Sequence, residues 1–322
     1  MDDSALVVVV TRPVPGGVAV PGAVVRTGPE RRQTRDELLG LVRGARVIVS
    51  MFHDRVDGEL LDAAGPTLAG VCNFAVGHDN IDLGECARRG VLVSNTPDAV
   101  TEGTANLAWG LILAAGRRIV EGDRFVRAGR LGREGPLAIT DFLGAHFTGQ
   151  NLLIVGAGRI GYAVGLRGLA FGMRVLYVSR RRRVDFEISP LGARRVELEA
   201  GLAGADVVSI HTPLTAETRG LIDARRLGLM KPTAVLVNTA RGPIVDEGAL
   251  AAALREGRLF GAGLDVFERE PEVHPGLLGL ENVVLTPHIG SAERRWREVM
   301  AEMVSENAAA MVAGREPPNR VG

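Results

Sequence analysis

Residues 151–183 read NLLIVGAGRIGYAVGLRGLAFGMRVLYVSRRRR: an apolar run, a glycine turn, a helical pattern and a second apolar run. Residues 152–155 are apolar without alternation, as a parallel strand covered on both faces requires. Gly156, Gly158 and Gly161 follow as G-x-G-x-x-G, where that strand would turn into a helix carrying Ile160, Ala163, Val164 and Leu166. Each glycine has its own reason. Gly156 permits a tight turn, Gly158 lets backbone approach a pyrophosphate, and Gly161 lets helix and strand pack closely. The diphosphate would sit on the helix N-terminus, where free N–H groups and the macrodipole favour an anion. In a chain with 42 glycines, three spaced glycines alone also describe an ordinary turn. The flanking strand, helix and strand in register select the dinucleotide reading.

The end of the second strand bears on which dinucleotide binds. An NAD site places an acid about 20 residues after the motif, to accept hydrogen bonds from the ribose hydroxyls. Here 173–178 runs into Ser179, Arg180, Arg181, Arg182 and Arg183, with no acid at the tip. A hydroxyl followed by guanidinium forks suits a dianionic 2′-phosphate, so NADPH is expected over NADH. Four arginines also describe a solvated loop, a reading that leaves the missing acid unexplained.

A chain of 322 residues is long enough for two domains, each with its own core. Acidic and basic residues balance at 38 each, which argues against nucleic-acid or membrane-surface partners. Lys231 is the only lysine, so arginine is a compositional habit here and no single arginine carries much weight. Cys72 and Cys86 lack C-x-x-C spacing, so buried reduced thiols are expected, with no disulfide framework and no metal site. The N-terminal apolar run is too short to span a membrane and lacks a signal-peptide pattern, so the expected compartment is the cytosol.

Short apolar runs alternate with helical patterns, which predicts an α/β protein with doubly wound parallel sheets. Strands are expected at 5–10, 46–50, 68–73 and 91–94, with Thr34 and Glu37 forming a capping box. The loop AVGHDNID (75–82) lies at a strand's carboxyl end, where open α/β sheets bind ligands, and Val76 and Gly77 offer backbone N–H groups there. Asp82 equally suits a helix cap. Residues 101–119 read as a helix apolar over most of its circumference, the kind that packs against another subunit. Residues 121–149 read as a long aperiodic arm reaching a partner. Further strands are expected at 205–210, 233–238, 260–265 and 282–286, and a last helix at 291–313 crosses back to the first sheet. Polar residues gather at these strand ends: His211-Thr212-Pro213, then Asn238 to Gly242, then Asp265, then Thr286 to Ser291.

GAGRIG, NTARGPIVDEGAL, GAGLDVFEREP and LTPHIGS, with AVGHDNIDL and VSNTPDAVTEGTA in the first half, resemble the D-isomer-specific 2-hydroxyacid dehydrogenases over nearly the whole chain. VLYVSR and the segment at Asp141-Phe142 are similar to the glyoxylate and hydroxypyruvate reductases of that family. The resemblance implies two Rossmann-like domains, the cofactor domain inserted into the substrate domain: 1–98, 99–290 and 291–322. It also implies a homodimer through the cofactor domains. By the same resemblance the catalytic arginine, glutamate and histidine fall on Arg241, Glu270 and His288. Arg241 would hold the carboxylate of a 2-keto acid and polarise its carbonyl, with the Val76 and Gly77 N–H groups completing the cradle. His288 would give its proton to the developing alkoxide, and Glu270 would fix the imidazole tautomer and favour its acid form. Glu268 competes for that role, since either could be an exposed loop charge. Asp265 resembles the residue that orients the carboxamide. The family pattern extends the cofactor set to Thr104, Arg159, Ile160, Thr218, Thr239, Ala240 and Gly290. Met51 and Phe52 would form an apolar lid favouring a small substrate side group.

Departures from the family pattern put the substrate in question rather than the reaction. His78 stands where tyrosine is frequent, Asn106 where an acid is frequent, and the arm lacks tryptophan, offering Asp141 or Phe142 to a neighbouring active site. The expected function is NADPH-dependent reduction of glyoxylate or hydroxypyruvate. The alternatives are another 2-hydroxy acid, another small oxyanion such as phosphite or formate, or an NAD(P)H-sensing binding module.

Overall fold

A computed structural model describes residues 6–321. The chain divides into two compact units, one made of residues up to Val100 together with those from Ser291, the other of Thr101–Gly290. Ala5, placed in the first expected strand, lies outside the described residues.

The first unit holds a five-stranded parallel sheet of β1 (Leu6–Val10), β2 (Ala23–Thr27), β3 (Val47–Met51), β4 (Gly70–Phe74) and β5 (Leu92–Ser94), in the order β2-β1-β3-β4-β5. Every residue of β3 and β4 is buried, as strands covered on both faces should be. The capping box forms: the Thr34 side chain accepts from Glu37 N–H and the Glu37 side chain accepts from Thr34 N–H. The edge strand β2 is absent from the sequence reading because it is short, follows Pro-Gly and is largely exposed. The helix Arg294–Val312 belongs to this unit and packs on β3, β4 and β5. Gly70 admits it: a Cβ there would lie 2.3 Å from the Met311 sulfur. Both cysteines are free and buried, and burial pushes the Cys72 thiol up to about 12 and the Cys86 thiol up to about 11, so neither is a nucleophile at neutral pH.

The second unit holds a seven-stranded parallel sheet: β6 (Asn151–Val155), β7 (Arg174–Val178), β8 (Arg194–Arg195), β9 (Val207–Ile210), β10 (Val235–Asn238), β11 (Gly261–Leu264) and β12 (Val283–Leu285). Their order is β12-β11-β10-β9-β6-β7-β8, which reverses between β6 and β9 and opens the crevice at which doubly wound sheets bind ligands. The two-residue β8 carries no strand signal of its own and exists through pairing with Leu176 and Tyr177.

Two readings change. The helix Thr101–Gly116 buries its apolar residues on its own unit, against the helix Arg159–Ala170 and strands β10 to β12, and exposes Glu102, Asn106 and Gly110. Its apolar character needs no second subunit. The supposedly aperiodic arm contains the helices Ile119–Arg127 and Arg130–Glu134. Charge pairs such as Arg127–Asp123 at 2.9 Å and Arg130–Glu134 at 2.6 Å support them, and Phe125 is the one buried residue of the two. The exposed apolar side chains of this unit concentrate there, Ile139 at 97% and Leu143 at 62% exposure. Phe142 is committed locally, edge-on to Phe125 at 5.3 Å and under the Arg118 guanidinium at 5.0 Å.

Candidate active site

The glycine turn sits at the switch between β6 and β9. Gly156 has φ +108°, and a Cβ there would lie 2.5 Å from Thr212 N and 2.6 Å from the His211 carbonyl carbon, so only glycine fits between the neighbouring strand ends. A Cβ on Gly161 would lie 2.4 Å from Gly156 O and 2.7 Å from Ile154 Cγ2, which is the close helix-to-strand packing the motif requires. Gly158 faces open space, with no heavy atom within 4 Å of its Cβ position, and no side chain caps the helix Arg159–Ala170 that follows. An open, uncapped N-terminus beginning at Arg159 and Ile160 fits a diphosphate.

His211 bonds Ser209 Oγ through Nε2 at 2.7 Å, and burial pushes its pKa down to about 3, which keeps the ring neutral beside the turn. Thr218 is used inside the loop that leaves β9: its hydroxyl donates to Pro213 O at 2.6 Å and accepts from Thr215 N at 2.7 Å.

At the tip of β7 the arginines separate into two pairs. Arg182 bonds Glu187 at 2.5 Å and Arg183 bonds Asp185 at 2.8 Å, whereas Arg180 and Arg181 are exposed and form no ion pair among the described residues. Ser179 donates its hydroxyl to Arg181 O at 2.5 Å, and Arg195 on β8 braces the turn by donating to Ser179 O at 3.0 Å.

Adjacent strands β10, β11 and β12 deliver the three remaining groups from their carboxyl ends. After β10, Asn238 Nδ2 donates to Arg241 O at 2.9 Å while Asn238 Oδ1 accepts from Ala240 N at 3.0 Å, so one side chain closes the turn that presents the half-buried Arg241. Thr239 is buried, its hydroxyl without a partner among the described residues. Gly242 lies flat on the next loop, where a Cβ would meet the Phe267 carbonyl carbon at 1.8 Å.

After β11, buried Asp265 accepts from Thr286 Oγ1 at 2.7 Å, Ile289 N at 2.8 Å and Gly290 N at 2.8 Å. Burial pushes its pKa up. Its carboxylate therefore clamps the loop after β12, with Thr104 also close to Gly290, and retains acceptor capacity beyond these three bonds. That loop holds His288 at φ +55°, a left-handed conformation that costs a non-glycine residue of order 1–3 kcal/mol and persists because Asp265 fixes the residues around it. His288 Nδ1 meets Glu270 Oε2 at 2.8 Å, which leaves Nε2 as the atom able to transfer a proton outward. Burial, the largest influence on Glu270, pushes its pKa up, but the bond to His288 and the charges of His288 and Arg241 outweigh it and hold the carboxyl below its usual range. Of the two candidate glutamates, Glu270 is the one beside His288; Glu268 instead accepts from Glu247 N at 2.9 Å.

In the first unit, three peptide carbonyls after β4 are tethered: Ala75 O by Thr96 N at 3.0 Å, Val76 O by Asn95 Nδ2 at 2.8 Å, and Gly77 O by Asn73 Nδ2 at 2.7 Å. Since N–H and C=O point oppositely across a trans peptide, the Val76 and Gly77 N–H groups face away from those tethers. Phe52 is half-buried, but Met51 is buried within β3, so the expected lid reduces to Phe52. One group was missed. Arg297 is half-buried, donates from Nε to Ser291 O at 2.9 Å, sits 6.0 Å from the Phe74 ring and has no carboxylate partner among the described residues. Burial lowers its pKa. Nothing in an arginine-rich sequence distinguishes it beforehand.

A cavity of about 430 Å³ lined by Ala115, Arg118, Leu254, Phe260 and Val284 lies toward the amino ends of β11 and β12, away from this chemistry. Among the described residues no helix is long and apolar enough to cross a membrane, and no cluster of His, Cys, Asp or Glu could hold a metal ion.

Residues 109–290 match the family described as D-isomer specific 2-hydroxyacid dehydrogenase, NAD binding domain. The chain is 49% identical over 296 residues to a glyoxylate reductase of Thermococcus onnurineus, covering 91% of this chain and 87% of that protein. It is 50% identical over 294 residues to a glyoxylate reductase of Aeropyrum pernix, covering 89% and 85%. Among solved structures, a Thermus thermophilus protein superposes with a TM-score of 0.90 at 44% identity, covering 98% of this chain and all of that one. An NADPH-dependent glyoxylate/hydroxypyruvate reductase from Sinorhizobium meliloti, in complex with NADP and malonate, superposes with a TM-score of 0.83 at 32% identity, covering 99% and 97%.

Proposed function

Because the chain belongs to the D-isomer-specific 2-hydroxyacid dehydrogenases, which are NAD(P)-dependent oxidoreductases, we propose that it reduces a small 2-keto acid, glyoxylate or hydroxypyruvate, with NADPH as the preferred cofactor. The diphosphate rests on Gly158 and the N-terminus at Arg159 and Ile160, and Ser179, Arg180 and Arg181 hold the 2′-phosphate. Thr212, Pro213, Thr239 and Ala240 line the remainder of the cofactor groove, and Asp265 spends its spare acceptor capacity on the carboxamide. When bound, the nicotinamide supplies a hydride. Arg241 grips the substrate carboxylate and polarises the adjacent carbonyl, a task for which its planar fork is suited. In the first unit, the Val76 and Gly77 N–H groups, turned away from the tethered carbonyls, are offered to a carboxylate. His288 gives its Nε2 proton to the alkoxide oxygen, and Glu270 holds Nδ1 so that the tautomer is correct and the imidazolium is stabilised.

The observation that carries this reading is the 2.8 Å contact between Glu270 and His288 on a strained loop clamped by Asp265. His288→Ala should lower kcat by on the order of 10² to 10⁴, the usual worth of a general acid, while NADPH affinity changes little. Near-normal turnover with glyoxylate and hydroxypyruvate would remove His288 from the chemistry.

The protein acts as a cytosolic homodimer, its subunits meeting through the exposed apolar side chains of Ile119, Val126, Leu131, Leu137, Ile139 and Leu143, which a monomer would leave in water.

A further inference from the structure

Glu247 belongs to the NTARGPIVDEGAL motif, yet neither cofactor nor substrate chemistry uses it. It opens the helix Glu247–Arg255, where the preceding Asp246 already supplies the cap by accepting from Ala249 N at 2.8 Å. At 3% exposure Glu247 is nearly as buried as Leu250 and Leu254 on the same helix. Its side-chain oxygens reach across to one loop. Oε1 accepts from Glu268 N at 2.7 Å and Oε2 accepts from His274 N at 3.3 Å, while Glu268 Oε1 returns a bond from Glu247 N at 2.9 Å. The span between those two anchors contains Glu270, whose Oε1 accepts from Phe267 N at 3.1 Å and whose Oε2 meets His288. On the other side of Glu247, five residues upstream, Gly242 presses on the backbone of Phe267 and Glu268 directly after Arg241.

A buried carboxylate is costly unless hydrogen-bonded, and a helix start that is already capped does not need a second one. We infer that Glu247 is a positioning residue that ties the Arg241 turn to the Glu270 loop, so that the substrate-gripping arginine and the carboxylate behind His288 are set by one shared carboxylate. The inference rests on the roles given above to Arg241, Glu270 and His288. The charged and titratable groups facing this assembly are Glu268 and His274 around Glu247, and Arg241 and Asp265 around the Glu270–His288 pair. Burial pushes the Glu247 carboxyl up and nearby Glu268 adds to that, while the bonds from Glu268 N–H and His274 N–H pull it down without cancelling the rise.

In Glu247→Gln the side chain keeps its size but its amide nitrogen can accept from neither backbone N–H, so at least one anchor becomes a donor facing a donor. Hydrogen exchange of the full-length protein should then rise in both 241–247 and 267–274. Dinucleotide affinity should stay within about twofold, and kcat should fall about ten- to a hundredfold, the scale of a small misplacement of catalytic groups. The alkaline limb of kcat should move to lower pH in the same direction as in Glu270→Gln, and the double variant should move no further than Glu270→Gln alone. Glu247→Asp, too short to reach both anchors, should not rescue. Glu247→Ala is the harsher variant; if it fails to fold, Glu247→Gln still decides. Unchanged exchange in 267–274, or a lowered kcat with an unmoved limb while Glu270→Gln moves it, overturns the inference. Raised exchange in both segments with Glu270→Gln leaving the limb in place keeps the tie and removes instead the role given to Glu270.

Discussion

The proposed preference for NADPH rests on the tip of β7, where Ser179→Asp combined with Arg180→Ile should reverse it. A charge-assisted hydrogen bond to phosphate is worth roughly 1.5–3 kcal/mol where it is sheltered. Here both available guanidiniums are exposed, and the Glu217 carboxylate is within electrostatic reach of Arg180, so about half of that survives. Two such contacts then give about 1.4–3 kcal/mol, a ten- to hundredfold preference for NADPH in kcat/KM. Arg182 and Arg183 contribute little, because Glu187 and Asp185 already hold them. In the double variant the new carboxylate occupies the position of the Ser179 hydroxyl, on a turn that Arg195 keeps in place through the Ser179 carbonyl. It accepts from the ribose hydroxyls of NADH and repels the 2′-phosphate of NADPH. The assay is kcat/KM for both cofactors with glyoxylate, in parent and variant, followed at the nicotinamide absorbance. A parent that uses NADH as well as NADPH would refute the reasoning and reduce all four arginines to charged surface.

Two further outcomes are expected. His211 has a folded-state pKa of about 3 against an ordinary value of 6.5, so below pH 6.5 the unfolded chain takes up a proton that the folded one refuses. Its contribution to stability is full above pH 6.5 and declines as pH falls toward 3; denaturant midpoints of the parent should therefore fall more steeply over that window than those of His211→Asn, and parallel curves would contradict it. A fragment of Thr101–Gly290 should fold, bind NADPH and remain dimeric, since its seven-stranded sheet and the exposed apolar residues of the arm both lie inside it; a folded monomer by sedimentation would move the dimer contact elsewhere.

Much of the fold is legible in the letters because local chemistry and tertiary demand coincide. The buried run of β6 is apolar throughout and those of β3, β4 and β9 are broken only by Ser50, Asn73 and Ser209, and the capping box at Thr34 and the cap at Asp82 form where their side chains say they should. The three motif glycines are each explained by what a Cβ would strike or leave open. Where the letters mislead, the stabilising partner is distant or polar. The arm helices rest on Arg–Asp and Arg–Glu pairs, β8 exists only beside β7, and the apolar helix Thr101–Gly116 is spent on strands whose proximity no local pattern encodes.

For the site, residue types and strand-end positions are properties of the sequence by itself. They gather polar groups at successive strand ends and show a turn that lacks an acid at Ser179, while the choice of Arg241, Glu270 and His288 among those groups comes from the family resemblance. What each group touches is decided only when β10, β11 and β12 lie side by side. That alignment gives His288 to Glu270 and not to Glu268, turns Asp265 into the clamp of a strained loop, and divides four consecutive arginines into two engaged and two available. It also brings Glu247, 23 residues before Glu270 in the chain, against the loop that carries it. A carboxylate's partner is set by distances of about 3 Å between atoms from different strands, and spacing along one chain carries no information on that scale.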